Sequence, residues 1–278
     1  MTDIGILDSV VLGVVEGLTE FLPVSSTGHL TIAEKMLGLP IDDKGVTAFT
    51  AIIQVGAIAA VLVYFFRDIV RIVSAWGTGL VKPEVRGTFD YRFGWFVIWG
   101  SLPIALIGFL ARDLISGSLR NLWVVGTALV LWSAVMLYAE KAARQDREER
   151  ETTLTDVLVI GLVQCIALVP GVSRSGATIS AGLLRGLDRV TATRLSFFLS
   201  IPALVGAGLF ELRDAAKEEV PVSALAVGTV VSFAVAYASI AWLLRFVAHH
   251  PISLFVPYRV AVGVVLLGLL AAGTVTAT

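Results

Sequence analysis

Two short stretches of the chain gather side chains capable of chemistry: EGLTEFLPVSSTGHL, beginning at Glu16, and ALVPGVSRSGATIS, beginning at Ala167. In the first, Glu16 and Glu20 lie four residues apart, which on a helix puts them on one face about a turn from each other. Carboxylates crowded in an apolar setting repel, so a proton is readily held between them; this suits a general acid or base, and the same oxygens suit a hard divalent cation. A solvated acidic face at a helix end is the plain alternative, and the apolar neighbours of both residues argue against it. Pro23 stops the helix. Ser25, Ser26, Thr27 and Gly28 then make a tight turn rich in hydroxyls and backbone N–H groups. His29 opens the next short helix, whose first turn attracts anions because its N–H groups and dipole point outward. Ser26 and His29 are both candidate nucleophiles, and His29 also suits an acid to a leaving group or a base for a serine.

The second stretch supplies the opposite charge. Ser173, Arg174, Ser175 and Thr178 surround Gly171 and Gly176 at another expected helix start. Arg174 adds a planar, permanently charged fork that matches phosphate oxygens. Its pairing with Glu16 or Glu20 is an alternative, which leaves the surrounding hydroxyls and glycines unexplained. Carboxylates, hydroxyls and an imidazole on one loop, with a guanidinium and amides on the other, read together as phosphoryl transfer.

The elements that must unite these loops lie in a membrane. Of the 278 residues, 56% are hydrophobic and 15% charged, against about 25% charged in a soluble domain, which excludes a water-soluble globule. A net charge of −1 with scattered basic residues leaves no field for nucleic acid. The single cysteine, Cys165, excludes a disulfide framework or a multi-thiolate zinc site. Asp3 and Asp8, where a secretory signal would carry Lys or Arg, predict that no leader is removed. The segments 45–66, 93–111, 121–139, 195–212, 220–244 and 260–277 are each apolar for about the 20 residues that a spanning helix needs, with the charged stretches 67–92, 140–150 and 213–219 between them as loops. The stretches 4–39 and 157–187 are apolar but broken by Pro23 and Pro170. Broken backbone at membrane depth is tolerated only inside protein or beside water, so each reads as a re-entrant hairpin.

The two hairpins also match each other. A shift of 148 lays Gly13 on Gly161, Glu16 on Gln164, Ser25 on Ser173, Thr27 on Ser175 and Gly28 on Gly176. Three spans separate the hairpins, an odd number, so the second copy is inverted. The expectation is an all-α polytopic membrane protein: six full transmembrane helices plus two re-entrant helix–loop–helix hairpins related by an inverted repeat. It forms a single integral membrane domain over residues 1–278, with repeats at about 5–139 and 153–277, and a polar site where the repeats meet. Fourteen Lys and Arg fall on the face holding 67–92, 140–155 and 245–259, with Arg185, Arg189 and Arg194. Six (Lys35, Lys44, Arg112, Arg120, Arg213 and Lys217) fall opposite. The richer face is therefore expected to be cytoplasmic and both termini outside. No soluble substrate domain exists, so the expected substrate is a lipid phosphate whose tail stays in the bilayer.

In this order and about 150 residues apart, EGLTEFLPVSSTGHL and LVPGVSRSGAT closely resemble the paired motifs of undecaprenyl-diphosphatases, the bacitracin-resistance type of bacterial membrane phosphatase. The resemblance covers essentially the whole chain. It implies hydrolysis of undecaprenyl diphosphate to the monophosphate and inorganic phosphate, recycling the lipid carrier for peptidoglycan and other cell-wall polymers. It also implies a divalent cation, Mg2+ or Ca2+, held by Glu16 and Glu20, and a site opening to the outer face of the plasma membrane. Catalytic roles are carried to Glu16, Glu20, Ser26, His29 and Arg174, and phosphate binding to Ser25, Thr27, Ser173, Arg174, Ser175 and Thr178. The partners implied are the polyprenyl diphosphate lipid and the bilayer, and a homodimer is allowed. Because Gln164 stands at the mate of Glu16, the second repeat lacks the carboxylate pair. The rival reading is a secondary transporter or flippase for an anionic solute or polyprenyl phosphate, since inverted repeats with broken helices also mark that class. Gln54 is expected to bond across helices or to line the cavity.

Overall fold

The computed structural model describes residues 4–41, 43–111, 114, 115, 117, 119, 121–215 and 220–277. Arg112, Arg120 and Lys217 lie outside them. The chain folds into α-helices, which we number in chain order: α1 (Ile6–Thr19), α2 (Ser26–Met36), α3 (Lys44–Tyr64), α4 (Phe66–Val81), α5 (Phe89–Leu110), α6 (Leu122–Ala142), α7 (Leu154–Gln164), α8 (Arg174–Leu184), α9 (Arg189–Ala215), α10 (Val222–Val247) and α11 (Val256–Ala271). Six stretches are long and apolar enough to cross a bilayer: Lys44–Tyr64, Phe89–Leu110, Leu122–Ala142, Arg189–Leu209, Val222–Val247 and Ile252–Ala271. This makes the molecule a polytopic membrane protein built from helices.

Three boundaries differ from the sequence reading, each for a local reason. Residues 67–92 are not one loop. The charges of Arg67, Asp68 and Arg71 cluster in the first two turns of α4, and the apolar residues with them form a helix with a strongly one-sided apolar face. The fourth span starts at Arg189 rather than 195, because Arg189 pairs with Glu140 instead of entering lipid, and Asp188 caps the helix by accepting from the Thr191 N–H at 2.9 Å. The last span starts at Ile252 rather than 260, with Arg259 fully buried inside it. It ends at Ala271 because Gly273, with left-handed backbone at φ 70°, turns the chain back.

Close helix crossings rely on glycine. A Cβ on Gly13 of α1 would lie 2.6 Å from the Gly228 carbonyl of α10, and one on Gly161 of α7 would lie 2.3 Å from the Gly100 carbonyl of α5. On Gly263 of α11 it would lie 2.9 Å from the Gly126 carbonyl of α6. In lipid, where apolar burial drives little association, such backbone-to-backbone packing holds helices together. Helices of the first half therefore pack against helices of the second: α1 on α10, α7 on α5, α3 on α9 and α6 on α11.

Charged segments gather at one end of the bundle. Arg147 and Arg185 both bond the buried Asp156, Arg189 bonds Glu140, and Arg194 reaches Asp68 at 3.3 Å and Glu149 at 3.0 Å. At the other end Lys35 donates to Thr276 at 2.7 Å, and the Leu122 N–H donates to the Ala277 carbonyl at 3.0 Å.

Candidate active site

Two breaks face each other inside this bundle. The first runs from the end of α1 at Thr19 to Ser26, and the second from Gln164, through a 3-10 turn at Cys165–Leu168, to Arg174. Each ends in a serine with left-handed backbone, Ser25 at φ 82° and Ser173 at φ 78°, and each serine leads into an 11-residue helix. Non-glycine residues adopt this conformation only when their surroundings enforce it.

The enforcing bonds run between the breaks. The Gly171 N–H donates to Ser25 Oγ at 3.1 Å, and Ser175 Oγ donates to the Leu22 carbonyl at 2.9 Å. Arg259 of α11, 0% exposed, spans both: it donates to the Pro23 carbonyl of the first break and to the Gly171 and Val172 carbonyls of the second, each at 3.0 Å, and to Ser133 Oγ at 3.2 Å. Carbonyls freed by broken helices have no water to turn to, so a guanidinium with several donors is well matched to them.

Within this frame Glu20, the C-terminal cap of α1, is buried and joins the two loops chemically. One carboxylate oxygen accepts from Arg174 and the other from Ser26 Oγ at 2.5 Å. A partly open cavity of about 140 Å³ lies against them, with room for several water-sized groups. Glu20, Ser25, Ser26, Thr27, Ser173 and Arg174 form its polar wall, together with Gln54 of α3; Ile104, Ala167, Leu168 and Pro170 form an apolar wall. The N-terminal amides of α2 donate no capping bond to the side chain of Ser25, whereas in α8 Ser173 Oγ accepts from the Gly176 N–H at 3.2 Å. The α2 terminus beside the cavity is thus the one left for an anion.

Four of the residues singled out from sequence stand off the cavity wall. Glu16 is buried in α1, a turn before Glu20. Ser175 is committed to the Leu22 carbonyl, and Thr178 donates to the Arg174 carbonyl at 2.9 Å and bonds Ser196 at 2.6 Å. His29 bonds the Ser25 carbonyl through Nδ1 and Tyr258 Oη through Nε2, both at 2.8 Å, and so faces α11. Glu20 and Ser26 make a nucleophile-and-base pair in contact; His29 has neither ring nitrogen turned to the cavity.

Arg259 is what the sequence reading misplaced. Counted with the cytoplasmic face, it is buried between the breaks, which leaves thirteen on that face. The signal was present, a lone guanidinium inside VPYRVAVGVVLL, but the preceding His249, His250 and Pro251 made it look like the end of a loop. Gln54 takes the cavity-lining alternative.

For a divalent cation the donor set is two carboxylates one turn apart, and the described residues contain no group of three or more His, Cys, Asp or Glu that would hold a metal ion. Of that pair only Glu20 lines the cavity, so a cation there would need further ligands from a bound anion and water.

A family model described as bacitracin resistance protein BacA matches residues 9–265. The chain is 59% identical over 278 residues to an undecaprenyl-diphosphatase 1 of Frankia alni, covering 100% of both. It is 58% identical over 274 residues to an undecaprenyl-diphosphatase 1 of Streptomyces coelicolor, covering 98% of this chain and 99% of that one. An undecaprenyl-diphosphatase of Corynebacterium diphtheriae is 49% identical over 273 residues, covering 97% and 95%.

Proposed function

The chain belongs to the bacitracin resistance protein BacA family, and from that premise we infer that it is a membrane phosphatase hydrolysing undecaprenyl diphosphate to undecaprenyl phosphate and inorganic phosphate, which recycles the lipid carrier for cell-wall synthesis. The observation that carries this reading is the contact of Ser26 and Arg174 with one buried carboxylate, Glu20, beside a cavity within the helix bundle. A transporter needs charge complementarity but no hydroxyl held on a carboxylate, so the flippase alternative is not favoured.

In the reading we propose, the terminal phosphate enters the polar wall, and Arg174 exchanges Glu20 for phosphate oxygens, which it grips as a fork. The α2 amides and the hydroxyls of Thr27 and Ser173 hold the remaining oxygens. Glu20 takes the Ser26 proton as the Ser26 oxygen attacks the terminal phosphorus, and undecaprenyl phosphate leaves. Water then attacks the phosphorus of the phosphoserine; as the bond to Ser26 breaks, Glu20 returns its proton to the serine oxygen, restoring the hydroxyl and its own charge, and the water's protons leave on inorganic phosphate. Glu16 and Glu20 would hold a Mg2+ or Ca2+ ion, which when bound supplies charge neutralisation at the phosphate oxygens. Ile104, Ala167 and Leu168 give the first isoprene units an apolar surface.

We further read the halves as an inverted repeat with re-entrant breaks. The matched serines 148 residues apart, the equal lengths of α2 and α8 and the paired glycine crossings support it. We place both termini and the mouth of the site on the outer face, because the basic segments cluster at the other end.

The test is phosphate release from a long-chain prenyl diphosphate by purified protein in detergent. Glu20→Gln and Arg174→Ala variants that stay folded are expected to lose on the order of 10²–10³ in kcat. With substrate labelled at the terminal phosphate, rapid quenching is expected to trap label on Ser26. Label on His29, or turnover by direct water attack, overturns the assignment of the nucleophile.

A further inference from the structure

The two left-handed serines are supported differently. Ser173 stabilises its own helix start, accepting from the Gly176 N–H at 3.2 Å and bonding Ser175 Oγ at 3.2 Å. Ser25 Oγ instead accepts from the Gly171 N–H of the other break and makes no side-chain cap on α2. The residue that sets Ser26 against Glu20 therefore lacks the local bond that its counterpart has. In its place stands His29, whose Nδ1 bonds the Ser25 carbonyl at 2.8 Å; the equivalent position after Ser173 is Ala177.

His29 is itself held from outside. A carbonyl oxygen only accepts, so the hydrogen of the neutral ring sits on Nδ1 and Nε2 is an acceptor. Tyr258 Oη lies 2.8 Å from Nε2 and donates to it, and the rings stack at 15° with centroids 5.5 Å apart. The next residue of α11, Arg259, is fixed to Pro23, Gly171 and Val172, which sets the register of Tyr258 against His29. We propose that Tyr258 is a positioning residue of the active site: through His29 it holds Ser25 in its left-handed conformation and so aims the Ser26 hydroxyl at Glu20 and the phosphorus. This rests on the phosphatase reading with Ser26 as nucleophile.

Tyr258→Phe removes one hydroxyl and keeps the stacked ring. The expected result is a fall in kcat of about tenfold, the worth of one lost hydrogen bond, with KM and the thermal unfolding midpoint unchanged. In a His29→Gln background the same substitution is expected to change kcat less than twofold, because the relay is already cut. An unchanged kcat in the single variant overturns the proposal, as does an equal fall in both backgrounds. A second arm needs no turnover. With His249 and His250 replaced by Gln, nitrogen NMR of labelled His29 is expected to show one tautomer with hydrogen on Nδ1, and an altered Nε2 resonance in Tyr258→Phe; identical spectra overturn the proposal. Absence of phosphate release by the wild-type protein would sink the phosphatase reading and leave this arm to decide the brace.

Discussion

At the scale of single residues, the site is a set of polar groups that have found partners where lipid offers none. Glu20, Ser26 and Arg174 were legible in the sequence because their types and spacing name a chemistry before any coordinates exist. Arg259 was not, since its meaning lies in three carbonyls that belong to loops far away in the chain. We predict that Arg259→Leu costs about 3–5 kcal/mol, because it strands the Pro23, Gly171 and Val172 carbonyls together, and that Arg259→Lys recovers part of the loss. Thermal unfolding in detergent checks both. The carboxylate pair carries a second expectation: chelation suppresses phosphate release, Mg2+ or Ca2+ restores it, and Glu16→Gln raises the cation concentration needed for half-maximal rate. An unaltered cation requirement in that variant would remove Glu16 from the ion.

At the scale of elements, helices were legible where a long apolar run had clear ends, and less so where charge and helix overlap. Arg189 was read as lying ahead of its span and Arg259 as closing a loop, yet each sits in a helix because a partner, Glu140 or a set of carbonyls, answers its charge. Contacts set by small residues were invisible from composition alone. Gly161 leaves no room for a side chain against Gly100, whereas Gly268 has nothing within 4 Å of where a Cβ would stand. Gly161→Leu should therefore lower the unfolding midpoint sharply and Gly268→Leu leave it unchanged. The start of α7 carries a pH expectation. Burial alone would raise the Asp156 carboxyl, but bonds from Arg147, Thr153 and Arg185 outweigh it and hold the group well below the usual carboxylate range. A depressed folded value contributes stability that is complete above the unfolded pKa of about 3.9 and lost as pH falls beneath it. Melting should thus decline from about pH 4 downward, and Asp156→Asn should be less stable at neutral pH with a flatter decline.

At the scale of the whole molecule, sidedness follows from where cations collect. With Cys165 replaced by Ala, a cysteine at Thr274 should react with an impermeant maleimide on intact cells, and one at Arg150 should react only after lysis. The reverse pattern would turn the protein over. The doubled architecture we propose rests on the shift that aligns the two motifs, while the packing of helices from one half against helices of the other was not legible, since no spacing within one half encodes its contacts with the second. That exchange governs how the protein is made. Pro23 and the arginine that secures it are 236 residues apart, roughly 10–50 seconds of synthesis at ~5–20 residues per second. The early glycine face of α1 must wait in the translocon's neighbourhood for α10, and the carbonyl of Pro23 waits longer still for Arg259, so a ribosome that stops before the final helix leaves an enzyme without a working centre.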